Sequence, residues 1–140
     1  MAARAAAVVR RLIGLGVAVV AVVVGLVVHL AAPDGAASDI AGDALYVVAI
    51  WGGLVLLVPR WPSWATAAVV LVWSVAVELF QLTGLPLRWA AEFPPIVLVL
   101  GTSFDPRDLV VYAVTAIAVG GADAVARRAL SRRRAGSAAA

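Results

Sequence analysis

Residues Leu12 to Leu30 are nineteen consecutive positions without an acid or an arginine. At about 1.5 Å per residue such a helix is roughly 28 Å long, close to the hydrocarbon thickness of a bilayer. No water reaches backbone N–H and C=O groups there, so the segment must satisfy them internally, which makes it a helix. Its many valines would weaken a helix in water, but lipid overrides that preference. Three more apolar stretches follow, at about 40–58, 64–83 and 107–126. The sequence therefore predicts an all-α integral membrane protein with four transmembrane helices in one bundle over residues 1–126. Composition agrees: 64% of the 140 residues are hydrophobic and mean hydropathy is +1.05, where soluble domains run nearer 45–50% apolar.

The breaks between runs set the connections. The basic lead, with Arg4, Arg10 and Arg11, resembles the start of a signal peptide. The apolar stretch behind it exceeds the usual ~7–15 residues, so an uncleaved helix is expected. Gly14, Ala18, Ala21 and Gly25 offer it a small-residue surface for close helix contact. Pro33-Asp34-Gly35 turns the chain, with Ser38 or Asp39 placed to cap the second helix. Pro59 to Ser63 forms the next turn, flanked by the interfacial candidates Trp61 and Trp64. Gly84 and Pro86 end the third span. Between the third and fourth helices lies a long outer loop in which Ile96–Leu100 is too short to cross, so it dips into the bundle or packs as a loop. Asp105-Pro106 suits a capped helix start. Residues 127–140 read as a basic, then disordered, cytoplasmic tail, with the disorder expected in the last six residues.

Charge orients the bundle. All 11 basic residues are arginine, and placing both termini inside puts nine of them on the cytoplasmic side, leaving Arg88 and Arg107 outside. No basic face or aromatic platform points to nucleic acid. Without cysteine, and with one histidine, thiolate and histidine-rich metal sites are excluded. No cofactor or metal is read from the sequence.

The polar residues inside the spans carry the functional argument, because ionisable groups in a membrane face the bundle interior and find partners there. Asp39, Asp43 and Tyr46 share one helical face, as do Ser74, Glu78 and Gln81, and Asp105, Asp108, Tyr112 and Thr115. With the termini inside, these stripes reach the same outer-leaflet depth, joined there by His29. The candidate polar cluster is Asp39, Asp43, Glu78, Gln81, Thr102, Ser103, Asp108 and Tyr112.

Ser38-Asp-Ile-Ala-Gly-Asp43-Ala-Leu-Tyr, Glu78-Leu-Phe-Gln81 and Gly101-Thr-Ser-Phe-x-x-x-Asp108-Leu-Val-Val-Tyr112 together resemble domain of unknown function 2809 over roughly residues 10–126. That family comprises small bacterial membrane proteins, so the resemblance implies a multi-pass protein of the bacterial inner membrane. Members often carry arginine before the first aspartate of the second span; here the place is Ser38, which removes an internal counter-ion. Glu-x-x-Gln followed by an aspartate at the next helix start is also loosely similar to VanZ-like proteins linked with glycopeptide resistance.

Several roles fit such a cluster. It can fix the bundle through interhelical hydrogen bonds, or bind a lipid head group or envelope precursor. The alternative is a membrane-embedded hydrolase or transferase whose carboxylates act with a divalent cation. A channel or proton relay is a further reading. The sequence shows no clear nucleophile–base pair: Ser103 is the serine near the acids, and His29 is better read as an interfacial residue.

Overall fold

The computed structural model describes residues 2–138, with side chains from Arg4 to Arg132. Six helices run in the order α1 (Ala2–Ala31), α2 (Ala36–Leu57), α3 (Ser63–Gln81), α4 (Leu85–Glu92), α5 (Val97–Leu100) and α6 (Pro106–Ala138), with a 3-10 turn at Pro94–Ile96. Four of them are long and apolar enough to cross a membrane: Arg4–Ala31, Ala36–Leu57, Ser63–Gln81 and Pro106–Arg132. Their outward side chains are valine, leucine and isoleucine, including Val20, Val72, Val114 and Ile117. That surface suits lipid, and the chain is a multi-pass membrane protein.

The helices α2, α3 and α6 pack on one another, and among the described residues the backbone of α1 comes close to that of α2 alone. The core joins Val47, Trp51 and Val55 of α2 to Val70 of α3 and to Tyr112 and Ala116 of α6. The small-residue face of α1 meets a partner that the sequence does not advertise. A β-carbon at Gly14 would stand 2.7 Å from the Gly52 carbonyl oxygen, and one at Gly52 would stand 2.7 Å from the Ala18 backbone nitrogen. Only glycine at both positions lets the backbones come this close. Ala21 continues the seam, 3% exposed.

Local boundaries differ from expectation in three places. The second helix begins at Ala36 without a side-chain cap, ahead of the expected Ile40. Ser38 sits inside its first turn and its hydroxyl donates to the Gly35 carbonyl at 2.7 Å, with the Pro33 carbonyl as the alternative acceptor at 2.9 Å, while Asp39 lies in that turn, where the helix dipole favours an acid. The connection after α3 is more ordered than a plain loop. Gly84, in the left-handed region at φ 69°, reverses the chain into α4, which has proline at its start. Finally, α6 continues through Arg127 and Arg128 to Ala138, where a basic, then disordered, tail is expected. Alanine, leucine and arginine are strong helix formers and no proline interrupts them. The last two residues of that expected tail lie outside the described residues.

Candidate functional site

One end of the bundle, remote from Arg4 and Arg132, gathers the C-terminal ends of α1 and α3 and the N-terminal ends of α2 and α6. Glu78 is its anchor. The side chain is fully buried, and its two oxygens take different donors. Oε1 accepts the Asp105 backbone N–H at 2.6 Å, and Oε2 accepts the Tyr112 hydroxyl at 3.3 Å. Glu78 thus binds α3 to the start of α6 and to a residue two turns into it. Tyr112 Oη also stands 3.5 Å from Asp43 Oδ1, but one hydroxyl has one proton, and the shorter contact to Glu78 takes it. Asp105 caps α6 as expected: its Oδ1 accepts the Arg107 backbone N–H at 2.9 Å.

The positive partner of this cluster is Arg107, which the sequence reading assigns only a topological role. Its guanidinium reaches Asp39 and Asp108 at 3.5 Å and Asp105 at 3.4 Å. Arg107 therefore supplies Asp39 with a counter-ion from another helix, and Arg88 is exposed. A signal was available: Arg107 lies between two aspartates in the first turn of a helix, within side-chain reach of both. Contacts this long and this exposed to solvent are weak, so they orient the guanidinium more than they stabilise the fold.

Gln81 closes the other side. It is 8% exposed, and its Nε2 donates to the Leu100 carbonyl at 2.8 Å. That bond pins the segment Ile96–Leu100 against α3, so the stretch is a packed cover rather than a free loop. Gly101 is required by this contact. Its φ is 60°, and a β-carbon there would stand 2.5 Å from Gln81 Nε2. Above the cluster Trp73 Nε1 donates to the Tyr46 hydroxyl at 2.9 Å, and the Tyr46 and Tyr112 ring centroids are 6.5 Å apart.

These elements enclose a cavity of about 590 Å³. Of the residues the sequence singles out, Asp39, Asp43, Gln81, Thr102, Ser103, Asp108 and Tyr112 line it, and His29 joins them. Glu78 does not; it stands behind the wall, holding Asp105 and Tyr112 in place. The remainder of the lining is apolar, with Ala21, Val22 and Leu26 from α1, Leu45 and Ala49 from α2, and Val97 to Leu100 from the cover. Val22, Leu26, Leu98 and Val99 of the apolar lining are exposed, as are His29, Asp39 and Ser103 of the polar lining.

A second polar cluster, absent from the sequence reading, lies at the opposite end. Arg10 donates to both carboxylate oxygens of Asp123, at 3.1 and 2.8 Å, and the Ser63 hydroxyl donates to the same carboxylate. Both charged side chains are shielded, 14% and 11% exposed. Arg127 donates to the Trp61 carbonyl beside it. Helical phase holds a trace of this arrangement, since Asp123 follows Tyr112 by eleven residues, three turns along the same face.

A family model described as protein of unknown function (DUF2809) matches residues 32–116, more than half of the chain. The matched region contains the whole candidate cluster from Asp39 to Tyr112, but it is narrower than the expected 10–126 and leaves out α1 and Asp123. No curated protein and no solved structure matches the chain. The likeness to VanZ-like proteins, read from Glu-x-x-Gln and an aspartate at the next helix start, is not shown by these comparisons.

Proposed function

This chain belongs to the DUF2809 family of proteins of unknown function, and we propose that it is an envelope protein that holds the polar head of a membrane amphiphile. The observation that carries this reading is the two-part lining of the 590 Å³ cavity. Charged and hydroxyl groups of Asp39, Asp43, Thr102, Ser103, Arg107 and Asp108 form one part, and aliphatic side chains of α1, α2 and α5 form the other. A soluble metabolite has no use for the aliphatic part, and a hydrocarbon has no use for the polar part. An amphiphile uses both, and it can enter sideways from the bilayer.

Position in the cell follows from arginine asymmetry. We place the termini in the cytoplasm and the cavity in the outer leaflet of the inner membrane, because that orientation leaves two of 11 arginines outside. The chain has no cysteine, so an Asp34→Cys variant carries a single thiol in the exposed α1–α2 turn. That thiol is expected to react with a membrane-impermeant maleimide in intact spheroplasts. Reaction only after the membrane is opened reverses the topology.

The hydrolase or transferase alternative has less support. Among the described residues no three His, Asp or Glu side chains are grouped to hold a metal. Ser103 is exposed, and no hydrogen bond joins it to His29 or a carboxylate among those residues.

The binding reading is tested with a diazirine side chain at Leu26 or Leu98, in the cavity, and at Ile117, which faces lipid elsewhere. After irradiation of native membranes, the cavity positions are expected to yield one or two discrete adduct masses. Ile117 should sample the bulk lipid. Identical adduct distributions at all three positions overturn the reading.

A further inference from the structure

Resting on the amphiphile reading above, the structure assigns the polar end of the cavity to a head group bearing a primary ammonium. Charge is the first ground. Four carboxyl groups, those of Asp39, Asp43, Asp105 and Asp108, line the cavity beside the one guanidinium of Arg107, and even with one proton shared between the adjacent Asp43 and Asp108 carboxyls the negative charge is in excess. Low-dielectric walls focus that imbalance and repel an anionic head group.

The second ground is independent of charge. Gln81 is 8% exposed and lines the cavity. Its orientation is fixed because Nε2 is committed to the Leu100 carbonyl, so the amide presents Oε1 as an acceptor. No protein donor reaches that oxygen. Asp43 Oδ2 is likewise buried without a hydrogen-bond donor among the described residues, beside the Asp108 carboxyl, whose Oδ1 stands 3.5 Å from Arg107 Nε, and both residues line the same cavity. Two unpaired acceptors from two different helices, those of Gln81 and Asp43, thus border one space, and buried acceptors of this kind are rare unless something donates to them.

The donor type follows from the acceptor set. A primary ammonium carries three N–H donors on one positive centre and no acceptor. It can serve the Gln81 amide oxygen and the Asp43 carboxyl at once while offsetting the acidic charge around them. A quaternary ammonium brings the charge without the donors and leaves these oxygens unpaired. A hydroxylated neutral head brings donors without the charge. The aliphatic wall from Ala21 to Leu26 and across Leu45 and Ala49 takes the chain of the same molecule.

The test uses the full-length protein in nanodiscs containing a trace of phospholipid with a diazirine in one acyl chain. Three probes with identical chains differ only in the head group: phosphatidylethanolamine, phosphatidylcholine and phosphatidylglycerol. The ethanolamine probe is expected to label the cavity-lining segments of α1, α2 and α5 at least about fivefold more than either other probe. Asp43→Asn and Gln81→Met, each checked for an unchanged melting profile, should reduce that preference to about twofold or less. Equal labelling of the cavity by all three probes leaves the amphiphile reading standing and overturns the ammonium assignment. Choline equal to ethanolamine overturns it too, by showing that charge suffices without N–H donors. No labelling of the cavity by any probe overturns both. Free ethanolamine at millimolar concentration is expected to leave the labelling unchanged; displacement by it assigns the site to a soluble amine and overturns the proposal.

Discussion

Glu78→Leu is expected to lower the unfolding free energy in detergent by about 3 kcal/mol, whereas Glu78→Gln should cost well under half of that. The difference lies in what is left behind. Interhelical hydrogen bonds in membranes average only about 0.6 kcal/mol, so two lost bonds would not explain an effect of this size. Glu78, however, is 0% exposed, and leucine in its place strands the Asp105 N–H without its acceptor and leaves the Tyr112 hydroxyl only the long contact to Asp43 at 3.5 Å. An unsatisfied buried donor costs about 1–3 kcal/mol. Glutamine avoids most of this. Its amide oxygen can accept the Asp105 N–H, and its amide nitrogen can donate to Tyr112, whose own proton can then turn to Asp43 at 3.5 Å. The ordering wild type, then Gln, then Leu is read from thermal or chemical melts of the purified protein. A leucine variant as stable as wild type shows that α6 is not held through this carboxylate.

How much of this was readable in advance differs from residue to residue, for physical reasons. Hydrophobic runs and arginine placement report on the solvent, and lipid leaves the backbone one choice, so four helices follow from composition alone. Helical phase brings Asp43, Glu78 and Tyr112 together because each lies one or two turns from its helix end at the same depth. The partners of Glu78 are only half legible. A tyrosine on the right face can be foreseen, but the Asp105 backbone N–H cannot, since every residue but proline carries one. Arg107 is hidden by its double meaning. An arginine outside the membrane counts against a topology rule, and nothing in its identity says that it turns towards Asp39 on another helix. Gly52 is hidden for a similar reason: Gly-Gly inside a span reads as a weak point until Gly14 is placed against it. The cavity is the least legible feature, because its shape depends on how Leu100 and Gly101 fold back on Gln81.

Replacing either member of the Arg10–Asp123 pair by leucine is expected to destabilise by about 3 kcal/mol, and replacing both should cost less than the sum of the two. Geometry puts this pair above an ordinary surface bridge. Arg10 makes two bonds, at 3.1 and 2.8 Å, to one carboxylate, and such a forked contact loses both at once. Shielding adds to the loss: with the side chains 14% and 11% exposed, whichever charge survives is stranded away from water. Ser63 lends Asp123 one further hydrogen bond, which makes Arg10→Leu the milder single change. Connectivity gives the pair its weight in the fold. The backbone of α1 packs closely on α2 alone, so this bond, across 113 residues of sequence, is what ties α1 to α6. Residue 26 lies about 24 Å farther along the same helix, in the wall of the cavity. A loosened α1 should therefore lower the yield of discrete adducts at Leu26 while those at Leu98, on α5, persist. The cycle is measured as denaturant or thermal stability of wild type, Arg10→Leu, Asp123→Leu and the double variant. Strict additivity would mean that the two charges act independently and that the Gly14–Gly52 contact alone keeps α1 in place.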